Sequence, residues 1–138
     1  MDIGGALGYA LVILLLVFVV GTTAYWVTYF TGGGTQVTNE VWYTKFEDAF
    51  PVADGWAALA SLLAVFYILR GDSLKGPFFL AASGASILFL AFMDITFNFE
   101  NGLYSLVPTN GAMQVELVIN VFTAFLGVFA LAAGLVFL

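Results

Sequence analysis

Phe89-Leu-Ala-Phe-Met-Asp-Ile-Thr-Phe-Asn-Phe-Glu-Asn-Gly102 decides how this chain is read, because an otherwise unbroken apolar helix acquires Asp94, then Asn98, then Asn101. Spacings of four and three place the three side chains on one helical face. A carboxylate about two turns inside a membrane-length apolar run costs about 2.5–3.5 kcal/mol on insertion scales, so it faces protein or water rather than acyl chains. Asp94 therefore needs partners. Glu47, Asp48 and Asp54 stand at the start of the preceding apolar run, and Glu116 with Asn120 at the start of the following one.

Composition fixes the class. Of the 138 residues, 62% are apolar and 9% charged, against about 25% charged in soluble domains, and the mean hydropathy is +1.05. This predicts an all-α integral membrane protein whose main partner is the lipid bilayer. Four apolar runs, about residues 5–30, 51–69, 77–99 and 113–138, fill one domain spanning 1–138 and leave no room for a separate soluble domain. The net charge of −6 disfavours nucleic acid and anionic headgroups and favours cations or neutral ligands. With neither cysteine nor histidine, the chain has no disulfide or thiol chemistry and lacks the commonest haem, zinc and copper ligand; no cofactor motif is legible.

The first run reads as a retained helix. It has a signal-like apolar centre from Ala10 to Val20, but no Lys or Arg precedes it. Gly4 and Gly8 form a small-xxx-small pair, while Thr22, Thr23, Tyr25, Trp26 and Thr28 make its far end interfacial. Gly32, Gly33 and Gly34 open the one long connection, residues 31–49; the lack of a following Lys-Ser/Thr argues against a phosphate loop. Val37, Val41, Trp42, Tyr43 and Phe46 then predict a segment lying on the bilayer surface, with an extended hairpin as the rival reading. Pro51 suits a helix first turn, and Gly71 with Pro77 brackets a tight polar turn. Ala81, Ala82, Ser83, Gly84, Ala85 and Ser86 permit close helix approach. Asn101-Gly102 and Asn110-Gly111 mark turns before the last run.

Short connections predict an up-down-up-down bundle. Arg70 and Lys75 on one side against Lys45 on the other place both termini in the cytoplasm. On that topology Glu40, Glu47, Asp48, Asp54, Asp94, Glu100 and Glu116 lie on or nearest the outer side, with only Asp2 and Asp72 inside.

The candidate ligand- or cation-binding residues are Asp94, Asn98, Asn101, Asp54, Glu116, Asn120 and Glu47; a metal, if one is held, falls to Asp94, Glu116 and Asp54. Each has an ordinary alternative. Glu40, Glu47, Asp48 and Glu100 also suit solvated loop or cap positions, Asp54 and Glu116 suit helix N-termini, and Asp94 with Asn120 would serve as a hydrogen-bonded helix contact worth about 0.6 kcal/mol. If the acids converge, they cannot all stay charged alone, and the site holds a proton or recruits a cation. Oxygen-only ligands suit Na⁺, Ca²⁺ or Mg²⁺. The spacing is not that of an EF-hand. Phe89, Phe92, Phe97, Phe99, Trp56 and Tyr104 offer a lining for an amphiphile or organic cation, or simply face lipid.

Three functional classes follow. The first is a protein that binds or transports a cation, a proton or a cationic or amphiphilic small molecule, as a homo-oligomer if it encloses an aqueous path. The second is an accessory or assembly subunit of a larger membrane complex. The third, and weakest, is a carboxylate enzyme acting on a lipid or amphiphile, because no nucleophile-base arrangement is present.

Overall fold

Every regular element in the computed structural model, which describes residues 5–138, is helical. Gly4 and Asp2, named above, lie outside those residues. The elements are α1 (Ala6–Phe30), α2 (Val41–Glu47), α3 (Pro51–Leu69), α4 (Lys75–Glu100), a 3-10 turn (Leu103–Leu106) and α5 (Gly111–Phe137). Four stretches are long and apolar enough to cross a membrane: α1, α2 with α3 as Val41–Leu69, α4 and α5. Their outer faces are apolar too. Val20, Phe89, Val118 and Val136 are each 64–69% exposed, an arrangement that water would penalise and lipid would not.

Local chemistry sets the helix ends. Pro51 occupies the first turn of α3, where its missing N–H costs no hydrogen bond. The helix stops in a Schellman arrangement: Gly71 adopts φ +68°, its N–H donates to Ile68 O, and Asp72 N–H donates to Tyr67 O. Asp72 then starts α4 by accepting from the N–H groups of Leu74 and Lys75 at 3.1 and 2.8 Å. The Lys75 N–H, chief among these donors, holds the Asp72 carboxyl below its ordinary value of 3.8. Its contribution to stability is therefore complete above that value and disappears as pH falls through the lowered one. Asp72→Ala is expected to melt below wild type at pH 7, with the gap closing as pH falls below the ordinary carboxylate value of 3.8; a gap that persists in strong acid would contradict this origin.

Packing is tightest between α4 and α5. A Cβ on Gly84 would strike the backbone of Ala130 and Leu131, one on Gly134 the backbone of Ala81, and one on Gly127 would lie 2.7 Å from Leu88 N. The contacts climb α4 as they descend α5. The α3–α4 seam carries a buried Ser61–Ser83 hydroxyl pair at 2.7 Å. Leu11, Leu15, Ile68, Leu80, Ile87 and Leu126 centre the main apolar core.

The segment 31–49 does not simply lie flat outside this bundle. Tyr43 is fully buried in a second core with Val37, Leu103 and Met113, and Phe46 stacks on Phe97 with ring centroids 3.6 Å apart. Asn110 binds it to α5, accepting from Met113 N–H at 3.0 Å and donating to Val37 O at 3.0 Å. Val41 and Trp42 stay exposed, whereas Tyr43 and Phe46 find aromatic partners on the bundle that a purely interfacial segment would forgo. This inward fold carries Glu47 to the site.

Candidate functional site

Ile87, Ala91, Asp94 and Asn98 follow one face of α4, and that face points inward at the end where α2 folds over. Opposite it, α5 presents Glu116 and Asn120, four residues apart and both buried. From α2 comes Glu47, 5% exposed. One carboxylate oxygen each from Glu47, Asp94 and Glu116 lies within 4.8 Å of the other two, so three acids from three helices share one spot. Asp54 of α3 lines the same cavity but stands outside this trio.

Donors from α1 hold the acids in place. Tyr25 Oη donates to Glu47 Oε2 at 3.0 Å, Trp26 Nε1 to Asp54 Oδ2 at 2.8 Å, and Tyr29 Oη to Asp48 Oδ1 at 3.0 Å. On the far side, Asn98 Nδ2 donates to Glu116 Oε1 at 3.3 Å, and Asn120 Nδ2 donates to Tyr104 Oη at 2.9 Å. Partial burial pushes the Tyr104 hydroxyl up from its ordinary value, which keeps it in the neutral form this contact uses. Among the described residues, three buried side-chain oxygens find no partner: Asn98 Oδ1, Asn120 Oδ1 and Thr35 Oγ1. Buried polar atoms are rarely left so, and here the two most enclosed are acceptors next to acidic or hydroxyl groups.

These groups border a partly open cavity of about 430 Å³ between α1, α4 and α5. Its acidic end carries Glu47, Asp54, Asp94 and Glu116; no Lys or Arg lines it. The remainder is apolar, with Val17, Phe18, Leu90, Ile119 and Phe122 among its walls. Physically such a site can share protons or accept a positively charged or hydrogen-donating guest. The converging carboxylate oxygens of Glu47, Asp94 and Glu116 would also suit a hard metal ion.

Of the residues singled out from sequence, Glu47, Asp54, Asp94 and Glu116 line the cavity, and Asn98 backs Glu116. Asn120 is buried one turn beyond Glu116 and bonds to Tyr104 rather than to an acid. Asn101 is exposed at the C-cap of α4, its Nδ2 donating to Phe97 O at 2.9 Å, so the face it shares with Asp94 in projection ends before it reaches the site. Phe89, Phe92, Phe99 and Trp56 are more than half exposed and point away; the cavity aromatics are instead Phe18, Tyr25, Trp26, Phe50 and Phe122. Tyr25 and Trp26 were legible only as interfacial residues. Their spacing with Tyr29, three polar aromatics within five residues of α1, was the available signal for a row of donors. The nearby Thr23, Thr28 and Thr31 hydroxyls donate to their own helix carbonyls.

No protein-family model, curated protein or solved structure matches this chain.

Proposed function

We propose that this chain is a four-pass, up-down-up-down membrane protein that binds a cation or a cationic small molecule in the cavity closed by Glu47, Asp94 and Glu116. The observation that carries the reading is the meeting of three carboxylates from three helices in a cavity with no basic residue in its lining. Unbalanced charges this close are costly in a low-dielectric setting, so a guest that supplies positive charge or protons is favoured. Two of the three basic residues, Arg70 and Lys75, sit at the α3–α4 turn and Lys45 on the opposite side, a positive-inside count that favours that turn and both termini in the cytoplasm and the acidic end outward.

Asp94→Asn keeps the side-chain shape and removes its charge, which separates ligand binding from a helix-to-helix contact. Thermal unfolding of the full chain in uncharged detergent, with Ca²⁺, Mn²⁺ or dodecylamine added, is expected to show stabilisation of wild type by at least one of these probes. At about 100 times its Kd, such a probe adds about 2.7 kcal/mol. The variant is expected to lose that response. Equal curves for both proteins with every probe would make the cluster a helix contact and favour an accessory subunit of a larger membrane complex.

A further inference from the structure

The cavity has two unlike halves. One end is lined by the carboxylates of Glu47, Asp54, Asp94 and Glu116; behind Glu116, outside the lining, Asn98 donates to it and keeps its own Oδ1 unpartnered at 1% exposure. Thr35 Oγ1, also buried and unpartnered, belongs to a residue in the same lining. Carboxylate oxygens accept hydrogen bonds and donate none, so what completes this end brings N–H or O–H donors, and a positively charged donor also offsets the charge of the acids. The other half is walled by Val17, Phe18, Leu90, Ile119 and Phe122. A bare metal ion would fill the acidic end and leave that half empty. At about 430 Å³ the whole space falls within the range of small-molecule sites. It also lies where the packing is loosest, since α1 rests on α3 and touches α5 only lightly, and Val17, Gly21 and Val115 are both part of its lining and exposed on the apolar exterior.

Building on the cation-binding reading, we infer that the ligand is an organic cation with an apolar body, a long-chain primary amine in its simplest form, which enters sideways from the bilayer between α1 and α5. The ammonium group reaches the oxygens of Glu47, Asp94 and Glu116, and the chain occupies the apolar half. Binding is non-covalent. The charged head leaves water or the headgroup layer only because acceptors await it, and the chain exchanges one apolar surrounding for another, so recognition rests on the head while the cavity's shape selects the body.

Gly21 provides a variant that tests the chain site without touching an acid. A Cβ there meets nothing within 4 Å, and removal of a helix-interior glycine favours the helix, so Gly21→Leu is expected to fold while projecting bulk into the space beside the cavity. Trp26 lines the cavity, and Trp42 and Trp56 are exposed, so the full chain carrying Trp42→Phe and Trp56→Phe reports from the site alone. In phosphatidylcholine nanodiscs, dodecylamine is expected to change Trp26 emission and to bind at least about tenfold more tightly than dodecanol, the fold-change of one lost charged hydrogen bond or more, and more tightly than ethylamine, which keeps the head but has no chain for the apolar half. Gly21→Leu is expected to weaken dodecylamine by at least about tenfold with no fall in melting temperature. Response to Ca²⁺ or Mn²⁺ but not to dodecylamine would overturn the inference in favour of a bare metal site and leave the cation-binding reading standing. Dodecanol binding as tightly as dodecylamine would overturn it by removing the role of the charge. Undiminished dodecylamine binding in folded Gly21→Leu would also overturn it, since the chain would then lie elsewhere. Silence from every cationic probe would bring down both readings.

Discussion

Gly84→Leu is expected to leave almost no monodisperse protein after extraction in mild detergent, whereas Gly55→Ala is expected to purify like wild type. A Cβ at Gly84 runs into the main chain of Leu131, and main chain cannot rotate aside as a side chain can; a Cβ at Gly55 meets nothing within 4 Å. Overpacking of a well-filled core costs typically about 1–3 kcal/mol. Here the clash begins at the first side-chain atom and Leu adds three more, so the cost exceeds about 3 kcal/mol and approaches the whole stability of a marginal fold. Gly127 and Gly134 repeat the same geometry along the seam, so the helices cannot separate at one point without parting at the others. Recovery of Gly84→Leu by size exclusion in wild-type yield would show that α4 and α5 approach less closely than described.

The second large effect runs the other way. Glu116→Gln is expected to raise the stability of the ligand-free protein by about 1–3 kcal/mol, while removing its response to cationic probes. Two ionised carboxylates within 4.8 Å of each other repel by about 3.5 kcal/mol or more at an effective dielectric of 20; a shared proton relieves only part of this, and Glu116 has two such neighbours, Glu47 and Asp94. The amide retains a carbonyl oxygen for Asn98 Nδ2, so the hydrogen bond at 3.3 Å persists and only charge is withdrawn. Higher stability with lost binding is the usual trade at a site whose groups are held together against repulsion. Reversible unfolding in graded sodium dodecyl sulfate measures the difference. A loss of more than about 1 kcal/mol would mean that the Glu116 charge holds the bundle together rather than waiting for a guest.

The helical, membrane-like character of the chain was readable from composition and run length, because a stretch of about 20 apolar residues admits few structures other than a helix. The inward face of α4 was readable as well, since periodicity places Asp94 and Asn98 together. Other parts of the site depend on tertiary contacts with no local signature. Glu47 sits one residue before Asp48 and looks the same in sequence, yet the turn after α2 buries Glu47 and leaves Asp48 exposed. Trp26 reads as an interfacial aromatic until α3 places Asp54 at 2.8 Å from its indole nitrogen. Asn101 shows the converse. Its spacing from Asp94 is helical, but the helix ends there at Gly102, whose φ of +66° turns the chain away.

The unequal seams around α1 and α5 give the cavity one stiff wall and one compliant wall. Glycine contacts lock α4 to α5 like a laminated plate, so Asp94 and Glu116 keep a fixed separation. The opposite wall, α1, is fastened along α3 and rests only lightly on α5, with Tyr25 and Trp26 acting as latches on Glu47 and Asp54. Under load, the volume of such a chamber changes by displacement of α1 before the plate deforms, and the two latches give way first.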